Sequence, residues 1–138
     1  MNRYPECKAL SPDPSDAIVI CIVDDDSSVR KSLSNLLRSA GFDTLAFASG
    51  EDFLASPPAL KAGCALLDLK MKGLSGADVQ KELCRLQSRL PVICMSAHWD
   101  DSALSGAMCH GAIACLSKPF TEEALLEAVD EATQGSDQ

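Results

Sequence analysis

The run Ala17 to Val23, AIVICIV, is apolar at every position and rich in β-branched residues, and it breaks off into three successive carboxylates, Asp24, Asp25 and Asp26. A strand with one wet face would alternate. A segment apolar on both faces belongs inside a parallel sheet that helices cover above and below. The run is also far shorter than the roughly 20 residues of a membrane helix, and no longer apolar stretch follows it. The chain is therefore expected to wrap a sheet on both sides and to carry acids along one rim.

The rest of the chain repeats this unit. Val29, Leu33, Leu36, Leu37 and Ala40 mark one helical face, and Gly41 follows as a stop. A short strand is expected near Thr44 to Phe47, a helix over Gly50 to Ala55, a strand at CALLDL (64–69) and a helix from Ser75 to about Gln87, before Pro91. VICMS (92–96) reads as the fourth strand, and a helix follows from about Asp101 to Cys109, with Gly111 at its end. AIACL (112–116) is the fifth strand. Thr121 then caps a last helix whose first turn holds Glu122 and Glu123 and whose face carries Leu125, Ala128, Val129 and Ala132. Five strands alternating with five helices, joined by right-handed crossovers, give a doubly wound α/β fold with a five-stranded parallel sheet.

Composition agrees with one such domain. The 138 residues are 46% apolar, and 12 basic against 20 acidic residues leave a net charge of −8. A chain of that charge repels phosphate backbones and anionic membrane surfaces, so neither direct nucleic-acid binding nor membrane association is expected. Residues 1–16, MNRYPECKALSPDPSD, lack both periodicity and a secretory h-region and are expected to form a flexible tail of a cytoplasmic protein. Residues 17–133 would form the domain and 134–138 a polar tail or the start of a linker. Seven cysteines with no C-x-x-C spacing read as reduced thiols, mostly buried. A zinc site from His98, Cys109, His110 and Cys115 has only one Cys–His neighbour pair in its favour and is disfavoured.

In doubly wound sheets ligands bind beyond the carboxyl ends of the strands. There stand Asp24, Asp25 and Asp26 after the first strand, Asp68 at the end of the third, Ser96 at the end of the fourth, and Lys118 with Pro119 after the fifth. Converging carboxylates repel one another, and a hard divalent cation, Mg2+ above all, relieves that repulsion. A carboxylate is also a nucleophile toward phosphorus, with a metal, a lysine and a hydroxyl spreading charge on the transferring oxygens. Taken singly these residues are ordinary. Asp26 before Ser27 reads better as a helix cap, and a lone Ser96 or Lys118 would be a surface residue.

Together, VDDDSSVRKSLSNLLRSAGF, LLDLKMKGLSG, PVICMSAH and GAIACLSKPF resemble the receiver domain of bacterial response regulators over residues 17–133. AFASGEDFL and GLSGADVQKEL are most similar to receivers of the FixJ-like type. The resemblance implies a flavodoxin-like, CheY-like (βα)5 fold with strand order 2-1-3-4-5. It implies that Asp68, in D-x-x-M with Gly76 eight residues on, is the phosphoacceptor for a sensor histidine kinase. Asp25 would bind Mg2+ directly, Asp24 through water or as a second acid, and Lys70 through its backbone carbonyl. Ser96, Ala97 and Lys118 would hold the phosphoryl group, and a cis bond would precede Pro119. Lys70 and His98 occupy positions that influence access of water to an acyl phosphate. Homodimerisation or partner binding would use the face of the fourth helix, fifth strand and fifth helix.

Two positions depart from the family pattern. Lys72 replaces the usual proline after Met71, which is expected to loosen the turn beside Asp68 and to act on rates. Cys115, three residues before Lys118, stands at the switch position where an aromatic ring usually responds to movement of Ser96. Rival readings rest on fewer residues. Asp24-x-Asp26 resembles the D-x-D motif of haloacid-dehalogenase phosphatases, yet that family needs an acidic metal-binding pair at another strand end after the lysine, and only a capped helix follows Lys118. An unphosphorylated pseudo-receiver has no need of the full acidic set, and no phosphate loop of the flavodoxin kind follows the first strand.

Overall fold

The computed structural model describes residues 17–136. The elements run β1 (Val19–Val23), α1 (Ser27–Ser39), β2 (Asp43–Phe47), α2 (Gly50–Leu54), α3 (Pro57–Leu60), β3 (Cys64–Asp68), α4 (Gly76–Arg85), β4 (Val92–Ser96), α5 (Asp101–Cys109), β5 (Ala112–Ser117) and α6 (Glu122–Ser136). The five strands pair in parallel in the order β2-β1-β3-β4-β5, as expected. One irregularity in register falls between Val92 and Ile93 where β4 meets β5.

Successive residues of the central strands feed opposite cores, which is why AIVICIV had to be apolar throughout. Ile20 and Ile22 pack with Leu66, Ile93 and Met95 beneath Leu33 and Leu37 of α1 and Leu125 and Val129 of α6. Cys21 and Val23 pack with Ala65, Leu67 and Cys94 beneath Phe53, Val79, Leu83 and Ala107 on the other side. All of β1 from Ile20 to Val23 is inaccessible to solvent. At about 25 cal/mol per Å2 of apolar surface, each such aliphatic side chain contributes on the order of 2 kcal/mol.

Local signals place most boundaries. The Asp26 carboxylate accepts from the Ser28 and Val29 amides at 2.9 and 3.4 Å and so caps α1. Ser75 and Asp78 form a reciprocal capping box on α4, and Thr121 Oγ1 accepts from the Ala124 amide at 3.0 Å. Gly41 and Gly111 take φ of +98° and +94° just past their helices, a backbone that L side chains rarely adopt.

Three differences from expectation are visible. The helix expected over 50–55 is present as α2, but a further short helix that was not expected, α3, follows it, because Ser56 and the prolines after it start a new turn, with the Ser56 hydroxyl accepting from the Ala59 amide at 3.4 Å. The fourth and fifth helices of the expected count are therefore α5 and α6. The last helix takes in residues 134–136, placed in the tail by composition, while the expected tail over 1–16 lies outside the described residues. Cys21, Cys64 and Cys94 are buried as expected, but Cys84 and Cys109 are exposed.

Candidate functional site

Parallel pairing brings the carboxyl ends of β1, β3, β4 and β5 to one rim, and the acids gather there. Oxygens of Asp24, Asp25 and Asp68 lie within 4.8 Å of one another, with Asp24 and Asp68 buried and Asp25 exposed. The expected disposition is thus met. Lys118 enters from the far side of the sheet, with Nζ 2.9 Å from Asp24 Oδ2 and 3.5 Å from Asp68 Oδ2. The Lys118–Pro119 bond is cis.

Backbone donors fix each carboxylate. Asp24 Oδ1 accepts from the Asp26 amide at 2.9 Å, and Asp68 Oδ1 accepts from the Lys70 amide at 3.2 Å. Asp25 Oδ2 accepts from the amide of Lys72 at 3.2 Å. That last bond revises the reading of Lys72 as a loosening substitution, since a proline there has no N–H to donate. Instead, the turn is tied to Asp25 at this point. Gly76 packs against the end of β3 so closely that a Cβ would stand 2.6 Å from the Asp68 carbonyl oxygen and the Leu69 Cα. Its role is close approach, since no larger residue fits without moving Asp68.

Electrostatics at the rim are unbalanced, with three carboxylates facing one ammonium. Burial, then the charge of Asp24, pushes the Asp68 carboxyl above the usual aspartate value, against the Lys70 amide and Lys118. Burial works against the charge of Lys118, but its hydrogen bond to Asp24 and the charges of Asp68 and Asp24 prevail and raise its pKa. The donor set is all oxygen, partly open to solvent at Asp25, and short of positive charge. It fits a hard divalent cation.

The Ser96 hydroxyl, 2% exposed as a residue, donates to the His98 carbonyl at 3.0 Å and accepts from the His98 amide at 3.2 Å. It thus engages the loop leading into α5, while the Ser96 carbonyl accepts from the Lys118 amide at 2.8 Å. Ala97 lines an opening beside Lys118 and Phe120. Lys70 and His98 are exposed and border a second cavity together with Ser96. Cys115 is half-buried, its Sγ 3.8 Å from Met108 Sδ.

Two contributors were absent from the sequence reading. Arg30 Nη1 donates to the Asp24 carbonyl at 2.7 Å, and Trp99 Nε1 donates to the Leu116 carbonyl on β5 at 2.9 Å. No motif marks Arg30, whereas a lone tryptophan three residues after Ser96 was a usable signal. The disfavoured zinc set is not assembled: the acidic trio is the only metal-capable cluster among the described residues.

Comparison with known proteins agrees with this geometry. The family model for the response regulator receiver domain matches residues 20–130. Nodulation protein W of Bradyrhizobium diazoefficiens is 42% identical over 116 residues, covering 84% of this chain and 51% of that protein. Response regulator protein TmoT of Ectopseudomonas mendocina is 42% identical over 129 residues, covering 94% and 59%. The chain thus spans little more than half of either relative. The crystal structure of FixJ-N superimposes with a TM-score of 0.79 at 34% identity, covering 86% of this chain and 95% of that one.

Proposed function

The chain belongs to the response regulator receiver domain family of two-component signalling proteins, and we propose from that premise that Asp68 is its phosphoacceptor. A signalling module of this kind is not a turnover enzyme. An Asp68 carboxylate oxygen attacks the phosphorus of a phosphohistidine on a sensor kinase, an O–P bond forms as the N–P bond breaks, and the imidazole nitrogen keeps the electron pair and takes up a proton. The observation that carries the reading is the single ammonium of Lys118 shared by Asp24 and Asp68, which holds a cation where charge on the transferred phosphoryl oxygens must be met.

The acidic trio supports Mg2+ as the cofactor, held by Asp25 and Asp68 with Asp24 as the second acid and the Lys70 carbonyl as a further oxygen. When bound, the metal neutralises charge on the phosphoryl oxygens. Asp24 stays in place through Lys118, Arg30 and the Asp26 amide. Ser96 and the Ala97 amide receive the phosphoryl group, and Lys70 and His98 limit the approach of water. A phosphatase using Asp24 as nucleophile is disfavoured, because that side chain is only 1% exposed against 8% for Asp68 and is held the more closely by Lys118, at 2.9 against 3.5 Å.

Exposed Leu104 and Met108, one turn apart on α5, and exposed Ile113 on β5 support the α5–β5–α6 face as the output surface for a homodimer or partner. No helix among the described residues is long and apolar enough to cross a membrane. We place the domain in the cytoplasm, without direct contact to nucleic acid. Incubation with Mg2+ and phosphoramidate, followed by borohydride trapping and mass spectrometry, is expected to locate the modification at Asp68. Label retained in Asp68→Asn refutes the assignment.

A further inference from the structure

Helices α4 and α5 lie side by side but do not close against each other. The flank of α5 toward α4 offers Ala103, Gly106 and Ala107, and α4 answers with Ala77, leaving a cavity of about 390 Å3. Gln80, 2% exposed, stands in its wall. Its Nε2 donates to the Ala107 carbonyl at 3.0 Å, which fixes the amide's orientation, and its Oε1 accepts no hydrogen bond from any described residue. A buried acceptor left open beside a cavity asks for a donor from whatever fills the cavity.

The charge around this space is unlike that of the molecule. In a chain of net charge −8, the cavity is bordered by Lys70, Lys81, His98 and His110 and by no aspartate or glutamate. Lys70 belongs to the acidic rim, where its backbone amide donates to Asp68 Oδ1, whereas Lys81 stands on α4 one turn after Ala77, and its exposed side chain forms no ion pair among the described residues. Apolar walls, one open buried acceptor and a cationic border define a complementary molecule.

We propose that the α4–α5 cavity is a binding site for a small organic carboxylate, with its anion at Lys81, its apolar body against Ala77 and Ala107, and a hydroxyl donating to Gln80 Oε1. The site lies beside the phosphoacceptor but does not depend on it. Isotope-edited NMR of the unphosphorylated domain tests it, with 3-hydroxybenzoate as the probe and 3-hydroxybenzyl alcohol and benzoate as controls. Saturable shifts are expected at residues 77–81 and 103–110, with affinity weakened about tenfold for either control, the factor that 1.4 kcal/mol represents. Lys81→Gln, on an exposed position, should weaken the hydroxybenzoate to the level of the neutral alcohol, and Ala103→Leu should abolish binding by filling the space. Shifts that do not saturate, that fall elsewhere, or that are equal for acid and alcohol overturn the proposal, and so does undiminished binding to Ala103→Leu. Because binding is read directly, its failure leaves the assignment of Asp68 untouched.

Discussion

Lys118 and Asp24 meet at 2.9 Å across 94 residues of sequence, closing the end of β5 onto the end of β1 with β3 and β4 between them. Asp24 has no exposed surface, so this ion pair is also the main counter to a buried negative charge. Removing one partner of such a pair leaves the other uncompensated, which costs more than the pair is worth.

Lys118→Met should therefore destabilise the domain by about 2 kcal/mol at neutral pH, below the range for fully buried pairs because the ammonium keeps some contact with water. The Lys118 pKa is raised by folding, so its contribution is fully present below the unfolded lysine value and is lost as pH rises through the folded one. Urea melts of wild type and variant should differ at pH 7 and converge in strongly alkaline solution. An equal gap at both extremes would assign the loss to packing of the lysine stem.

Asp68→Asn should have the opposite sign. Burial and the charge of Asp24 raise the Asp68 pKa, so ionised Asp68 costs stability above that folded value, and the cost fades as pH falls toward the unfolded aspartate value. The variant is expected to be more stable than wild type by on the order of 1 kcal/mol at neutral pH and to lose that advantage in acid. Mg2+ should stabilise wild type, by about 1.4 kcal/mol at ten times its dissociation constant, and chelator should reverse this. Thermal melts with and without Mg2+ read both effects.

Much of this was legible in the sequence because the chain is consistent across levels. Strands apolar on both faces, caps at Asp26 and Thr121, and acids where the first and third strands end all point to one topology. What escaped was carried by backbone geometry or by single side chains. The short helix α3 was missed between the elements expected at 50–55 and 64–69, although Ser56 before Pro57 and Pro58 is a helix-start signal. The amide of Lys72 carries no signature in the letter K, and Arg30 reaches a carbonyl that any residue could offer.

The Lys72 amide gives a direct test. Lys72→Pro removes the donor to Asp25 Oδ2 at a solvent-exposed position. Hydrogen bonds to charged groups are worth about 1.5–3 kcal/mol when buried and less in water. Mg2+ affinity is thus expected to fall several-fold with little change in the unfolding midpoint. Calorimetric titration of Mg2+ into both proteins measures it, and unchanged affinity would mean that Asp25 is held by solvent alone.

Transmission from the rim to β5 must run without a ring at Cys115, and Trp99 offers the physical link. The Ser96 hydroxyl holds the His98 backbone at both its amide and its carbonyl, the next residue is Trp99, and its indole N–H holds the Leu116 carbonyl at 2.9 Å. Trp99 and Cys115 also pack on the same buried cluster. Drawing Ser96 toward a phosphoryl group breaks its bonds to His98, which frees the loop and alters the packing of the indole. Trp99 is the sole tryptophan of the chain, so its fluorescence reads this step without a label. Beryllofluoride with Mg2+ should shift the emission in wild type and leave Ser96→Ala nearly unchanged. In Trp99→Phe, which keeps a ring but loses the donor, hydrogen exchange across residues 97–120 should respond less to beryllofluoride than in wild type. A Cys115→Tyr ring added beside the indole should displace it and blunt the fluorescence change. If beryllofluoride saturates Asp68 while both the emission and the exchange of wild type stay constant, the link through Trp99 fails, and Cys115 has uncoupled β5 from the acidic rim.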